Sequence, residues 1–361
     1  MIAIMDWKRI TRLFRRPQPQ PALPRGAAEG KWVSGSASAA SASRKYKLWV
    51  PATYDPQAPS PLMMMLHGCN QKPEDLAEIS GMNAVADKNN FLVVYPEQPI
   101  RANLLRCWNW FDPKHQSRGT GEPAVLAAVI EQLGSSHNVD LGRVYVAGIS
   151  AGAAMSVVLA TTYPDLVTAV GAVAGLEFKA ATSMAGGLAA MKNGGPDPEQ
   201  QGLVAFRTMS DGLSDKPKRR MPVTVFQGTA DPYLNPLNAG QVITQWAKTN
   251  HCLEGNGAGR DAFDAGGELI SGSVPGGYRF DKHTYKDGAG RLLMEKWMVE
   301  GMGHAWPGSP VTGDFADPKG PPASEEMWRF FCDTTSQSLA YPTARKTLWD
   351  RLVHLLHGTR Q

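Results

Sequence analysis

The stretch Arg143-Val-Tyr-Val-Ala-Gly148-Ile149-Ser150-Ala151-Gly152-Ala-Ala-Met-Ser156 constrains this chain most. Its β-branched and aromatic residues predict a short strand, its small residues a tight turn, and Ala151 onward the start of a helix. The turn spells G-x-S-x-G. In such a strand–turn–helix, a sharp and strained turn lifts the serine hydroxyl clear of the sheet. Neighbours of that turn cannot carry bulk, which gives Gly148 and Gly152 a physical reason to be there. The competing reading is a Gly/Ala/Ser-rich helix start with Ser150 as an ordinary N-cap.

The flanking chain supplies the context. Leu62-Met-Met-Met-Leu66 and Phe91-Leu-Val-Val-Tyr95 are continuous apolar runs, as expected of strands buried on both faces of a parallel sheet. Tyr46–Val50, Val167–Ala174 and Pro222–Gln227 read as further strands. Tyr278–Val299 reads as two strands around the turn signal Asp287-Gly288. Helices are expected over Asp75–Asn90, Glu122–His137, Asn238–Asn250 and from Ser324 to Cys332. Strands alternating with helices predict an α/β domain with a mostly parallel sheet and helices on both faces. Residues 176–221 carry little strand signal and much Gly and Pro, so a cap or elaborated loop is expected there, over or beside the site.

A length of 361 residues suits one large domain with appendages. The boundaries read as a basic amphipathic segment (1–17), a Pro/Gly/Ser/Ala-rich linker (18–43), the α/β domain (44–336) and a basic amphipathic tail (337–361). The net charge of +4 is uneven. Lys8, Arg9, Arg12, Arg15, Arg16 and Arg25 face only Asp6 and Glu29 near the start, and Arg345, Lys346, Arg351 and Arg360 face Asp350 near the end. The middle is near neutral, which argues against a nucleic-acid-binding core. In 1–17, Ile4, Trp7, Ile10, Leu13 and Phe14 fall at helical spacing. That segment is either a helix packed on the domain, a frayed tail, or a surface anchor for a membrane or polymer granule. It has neither the long apolar core nor the cleavage site of a secretory signal, and no run is long enough to span a bilayer. Four cysteines allow three pairings, or buried thiols.

Acyl transfer by serine needs a general base and a group to orient it. Ser150, Asp231 and His304 come in the order Ser, Asp, His, each just past a predicted strand, so the sheet would bring them to one edge. This is the order of α/β-hydrolases. Asp231 could instead be a plain turn aspartate, with Asp211, Asp215, Asp261 and Asp264 as substitutes. Ser150 would attack a carbonyl, His304 would take its proton, and Asp231 would hold the imidazole. The N–H groups of Ala151 and of the Gly68–Cys69 turn, in the loop His67-Gly68-Cys69-Asn70-Gln71, would receive the oxyanion. In this reading His67, Trp108, Trp110 and Trp306 line the substrate site.

The segments LMMMLHGCNQ, CWNWF, GISAGAAMS, QGTADPYLNP and GHAWPG together resemble the polyhydroxybutyrate-depolymerase-type esterases, a group related to the feruloyl and acetylxylan esterases of carbohydrate esterase family 1. The resemblance runs over roughly residues 44–333. It implies an α/β-hydrolase fold with cap insertions, carboxylic-ester hydrolysis without metal or cofactor, and the triad Ser150, Asp231, His304. It also implies a disulfide between Cys69 and Cys107, leaving Cys252 and Cys332 as an expected second pair. The expected substrates are 3-hydroxybutyrate oligomers or related short-chain esters. The alternatives are a feruloyl or acetylxylan esterase, and a granule- or membrane-surface binding protein on a hydrolase scaffold. The family and the cysteine pairs suggest an extracellular or periplasmic location, whereas the unreadable signal leaves a cytoplasmic one open.

Overall fold

The structure, a computed structural model, describes residues 29–211, 219–253 and 268–336. Its centre is β3 (Ser60–Leu66), buried along its whole length. Large apolar side chains on both faces of a strand need cover on both sides. The neighbouring β4 (Leu92–Pro96), β6 (Ala169–Val173) and β7 (Val223–Gly228) are equally buried. With β5 (Val139–Ile149) and β10 (Leu292–Val299) they form a parallel core: β3 pairs with β4 and β5, then β5 with β6, β6 with β7 and β7 with β10. Antiparallel strands flank it, β1 (Lys31–Ala39) and β2 (Ala42–Val50) on one side, β9 (Arg279–Lys286) and β8 (Glu268–Ser273) on the other. The sheet order is β1-β2-β4-β3-β5-β6-β7-β10-β9-β8. A separate pair joins β11 (Trp306–Pro307) to β12 (Ala316–Asp317).

Successive side chains of a strand point to opposite faces, and the core divides accordingly. Leu62, Met64 and Val146 face α3 (Gly121–Ser136), α4 (Ala151–Thr162) and α7 (Leu237–Leu253). Met63, Met65 and Tyr145 face α1 (Pro73–Ser80), α2 (Met82–Asn89) and α8 (Ala323–Ser336). Every residue of α4, AGAAMSVVLATT, is buried. A helix without a polar face belongs inside, and its alanines let it approach the sheet closely. The region expected as a cap holds two helices, α5 (Met184–Asn193) and α6 (Pro198–Asp211).

Four expectations change. The linker expected over 18–43 is a strand and turn from Lys31 onward; its earlier part, like the segments 1–17 and 337–361, lies outside the described residues. Ser, Ala and Gly there form β1, paired along its length with β2. The turn between them puts Ala40 (φ 49°) and Ser41 (φ 60°) in the left-handed region, as a two-residue hairpin requires. The helix expected over 75–90 is two helices, broken at Gly81 with φ 63°. The exposed edge strand β8 carries no sequence signal that singled it out. Finally, Cys252 and Cys332 are free thiols: they ride α7 and α8, on opposite faces of the sheet, so no disulfide can join them. Cys69 and Cys107 do form the expected disulfide.

Candidate active site

Ser150 stands alone between β5 and α4, at φ 57° and ψ −122°. Few non-glycine residues adopt such angles, and they persist only where the surroundings overdetermine them. Here the Ser150 N–H donates to the Val173 carbonyl on β6 (2.9 Å), and its carbonyl accepts from the Ala154 N–H (3.0 Å). The motif glycines are demanded by close approach. A Cβ on Gly152 would lie 1.9 Å from the Leu66 carbonyl oxygen, and one on Gly148 2.6 Å from the Gly152 backbone. The turn therefore nests against the end of β3, which also launches the His67–Gln71 loop.

Asp231 follows β7 and His304 follows β10, two strands that pair directly. The segments after them are tied together: Thr229 N–H to the Val299 carbonyl (2.9 Å), Ala230 N–H to the Met302 carbonyl (3.0 Å), and Gly301 N–H to Thr229 Oγ1 (2.8 Å). A Cβ on Gly228 would strike the Met302 carbonyl oxygen at 2.2 Å, so only glycine lets the two segments meet. Asp231 Oδ2 accepts from His304 Nδ1 (2.7 Å) and Gln227 Nε2 (3.0 Å), and Oδ1 accepts from the N–H groups of Tyr233 (2.8 Å) and Leu234 (2.9 Å). Burial alone would push this carboxyl up. The hydrogen bond and charge of His304, with the two backbone donors, outweigh burial and hold it below the ordinary aspartate value. A carboxylate can only accept, so His304 donates to it from Nδ1–H, which leaves Nε2 facing away from Asp231. The rings of Tyr233 and Phe315 pack edge-on against this imidazole at 5.4 and 5.8 Å. The Ser150 hydroxyl makes no hydrogen bond to His304 here; such bonds commonly tighten only when substrate binds.

The loop after β3 lies against the serine: a Cβ on Gly68 would be 3.5 Å from Ser150 Cβ. Its Gly68 N–H is taken by Gln71 Oε1 (2.7 Å) and its Asn70 N–H by the Leu105 carbonyl (2.6 Å). Among the described residues, the N–H groups of Cys69 and Ala151 have no such partner. The disulfide fastens this loop to the one carrying Trp108 and Trp110.

The four side chains expected to line the substrate site do something else. His67 is fully buried; its Nδ1–H donates to the Gly68 carbonyl (2.8 Å) and its Nε2 accepts from the Gln98 N–H (3.1 Å). Burial lowers it to about 4, so it is neutral and shapes the loop. Trp108 is fully buried against His67, and Trp110 packs edge-on against Phe111 under α5. Trp306 is fully buried on the opposite face, its indole N–H on Ser324 Oγ (3.1 Å). The Trp306 indole N–H is satisfied, as a buried one usually is, whereas Trp108 Nε1 is buried without a hydrogen-bond partner among the described residues. Exposed apolar side chains lie elsewhere, among them Tyr233 beside His304, Leu104 and Leu105 in the loop that holds Asn70, and Met184 and Leu188 on α5. Tyr233 was findable, lying two residues from Asp231. Glu122, buried, is a second omission: it accepts from Asn109 N–H (2.8 Å), Asn109 Nδ2 (2.7 Å), Arg44 (3.3 Å) and Gln98, and so pins the aromatic loop. Of the substitute aspartates, Asp215, Asp261 and Asp264 lie outside the described residues, and Asp211 ends α6. Among the described residues no cluster of His, Cys, Asp and Glu could hold a metal ion, and no helix is long and apolar enough to cross a membrane.

A family model described as Esterase PHB depolymerase matches residues 45–268. Poly(3-hydroxyalkanoate) depolymerase C of Paucimonas lemoignei is 34% identical over 257 residues, covering 71% of this chain and 57% of that protein. Feruloyl esterase B of Neurospora crassa is 28% identical over 193 residues, covering 52% of this chain and 64% of that protein. The chain thus spans less than two thirds of the length of either relative. Among solved structures, an acetyl xylan esterase from Aspergillus awamori matches with a TM-score of 0.60 at 20% identity, covering 80% of this chain and 94% of that one. This likeness shows the α/β-hydrolase fold.

Proposed function

Because the chain belongs to the esterase PHB depolymerase family, we propose that it is a serine esterase of carboxylic esters, acting on 3-hydroxybutyrate oligomers or related short-chain esters. The observation that carries this reading is the 2.7 Å bond from His304 to a buried, fully hydrogen-bonded Asp231, on the sheet edge that also presents Ser150 at its strained turn. Ser150 Oγ attacks the ester carbonyl while His304 Nε2 takes its proton, and Asp231 stabilises the imidazolium. The N–H groups of Cys69 and Ala151 meet the oxyanion. The tetrahedral intermediate collapses, the alcohol leaves with the proton from His304, and water repeats the sequence on the acyl-enzyme. Tyr233, exposed beside His304, takes the place of the buried tryptophans as an apolar contact for the substrate.

The test is hydrolysis of p-nitrophenyl butyrate by wild type and Ser150→Ala, with 3-hydroxybutyrate oligomers and methyl ferulate alongside. Loss of a triad nucleophile costs on the order of 10⁶ in turnover. Activity surviving the substitution would identify the wrong nucleophile, and faster turnover of methyl ferulate would favour the feruloyl esterase alternative. We also propose, from sequence alone, that the basic amphipathic segments 1–17 and 337–361 dock the enzyme on a polymer granule or anionic membrane. Unchanged co-sedimentation after their deletion would sink that idea.

A further inference from the structure

A second polar site lies on the same edge of the sheet as Ser150. β2 runs antiparallel to β4 with Tyr46 opposite Pro96, so residues 42–45 project past the sheet where the parallel strands end. They flank the segment after β4, with the Glu97 N–H on the Lys45 carbonyl (2.8 Å). Between this hairpin tip and the aromatic loop is a pocket of about 740 Å³, walled by Arg44, Arg101, Asn109, His115, Glu122 and hairpin serines such as Ser41 and Ser43.

Its hydrogen-bond balance is one-sided. Glu122, the one carboxylate in its wall, is already saturated by Arg44, Gln98 and both Asn109 donors. Arg44 gives one further N–H to the Ser43 carbonyl (3.1 Å), and its Nε is buried without an acceptor. Arg101 is exposed; among the described residues it makes one hydrogen bond, a long one to the Ser43 carbonyl (3.5 Å), and pairs with no carboxylate. His115 Nδ1 accepts the Glu122 N–H (2.9 Å), so its proton sits on Nε2 as one more donor. Guanidinium groups, an imidazole N–H and serine hydroxyls thus line a space whose one carboxylate is already fully engaged.

We propose that this pocket binds a carboxylate carried by an extended ester substrate, with Arg101 as its principal contact. The proposal rests on the esterase reading and adds the substrate class. The pocket and the serine are joined by one run of contacts: Asn109 follows Trp108, Trp108 packs on His67 at 5.6 Å, and a Cβ on Gly68 would lie 3.5 Å from Ser150 Cβ. A substrate that occupies both places has to be longer than a single short ester, as an oligomer is. Two chemistries offer such a carboxylate, the free acid end of a hydroxyalkanoate oligomer and a uronate on an acylated saccharide.

The test measures kcat and KM on the full chain for two pairs of substrates: a 3-hydroxybutyrate trimer as free acid and as methyl ester, and an acetylated xylo-oligosaccharide with and without a uronate. The acid member of one pair should show about tenfold lower KM, the value of one charge-assisted hydrogen bond, and high salt should shrink that gap. The pair that shows it names the source. Arg101→Gln should bring the acid-to-neutral ratio close to one, and Arg101→Lys should keep part of it. Equal KM within both pairs, or a preference that survives Arg101→Gln, overturns the proposal. If wild type hydrolyses no ester, the esterase reading has failed, and calorimetric titration of the trimer acid still decides the pocket: heat lost in Arg101→Gln supports it, and no heat in wild type overturns it.

Discussion

Replacing the disulfide by Cys69→Ser with Cys107→Ser separates what holds the oxyanion loop from what holds the fold. The bridge spans a sequence separation of 38 residues. Removing that constraint from the unfolded chain costs about 4 kcal/mol in the chain-entropy treatment. Against a typical domain stability of about 5–15 kcal/mol, that is a large fraction. The urea midpoint of the double variant should therefore fall well below that of the oxidised wild type. Turnover should respond differently. In the proposed mechanism Cys69 serves the oxyanion through its backbone N–H, which serine retains. The loop keeps three other restraints: Gly68 N–H on Gln71, Asn70 N–H on the Leu105 carbonyl, and His67 locked between Gly68 and Gln98. We expect kcat on p-nitrophenyl butyrate to drop less than about tenfold, well short of the roughly 10²–10³ lost with an oxyanion donor. An unchanged midpoint would refute the entropy argument, and a hundredfold loss of kcat would refute the claim that hydrogen bonds hold the loop. Thiol titration of denatured, unreduced wild type supplies the control: Cys252 and Cys332 alone should react.

Two further outcomes follow from buried carboxyls. Asp231→Asn should lower kcat by about 10⁴ with KM little changed, because an amide donor facing Nδ1 drives the His304 proton to Nε2; activity within tenfold of wild type would show that another group orients the imidazole. Glu177 is buried after β6 with neither oxygen hydrogen-bonded among the described residues. Burial, and then nearby Asp197, push it up to about 8. The folded state thus keeps a proton that the unfolded carboxyl releases near its ordinary value of 4.5, so Glu177 costs stability progressively as pH rises between those values, by at most about 5 kcal/mol. Glu177→Gln should stabilise the protein more at pH 8 than at pH 5 in urea unfolding, and an equal effect at both would show the carboxyl is not buried as described.

The elbow was legible because its constraints are local. Gly148, Ser150 and Gly152 meet the same few atoms at the end of β3, and the strand before and helix after them have clear periodicities. The Asp231 and His304 positions were legible for a related reason, since each sits where an apolar run stops. The errors fall where a residue's fate depends on a distant partner. An indole two residues from His304 reads as a substrate wall, yet Trp306 is claimed by Ser324 on α8. Trp108 is claimed by His67, whose own role shifts from substrate contact to loop support for the same reason. The Ser/Ala/Gly run at 31–39 has linker composition, and only the strand β2 beside it makes it a strand. Glu122 reads as one more acid in the first turn of a helix, but the aromatic loop folds back onto it and supplies its donors. These misreadings share a physical root. The loop after β3, the aromatic loop and the start of α3 form one hydrogen-bonded unit around Glu122, clamped by the disulfide. Substitutions within that unit should therefore act on the oxyanion donors and on the pocket beside Arg101 together, so selectivity between acid and neutral substrates should be altered more cleanly at Arg101, which lies at its rim, than at any tryptophan inside it.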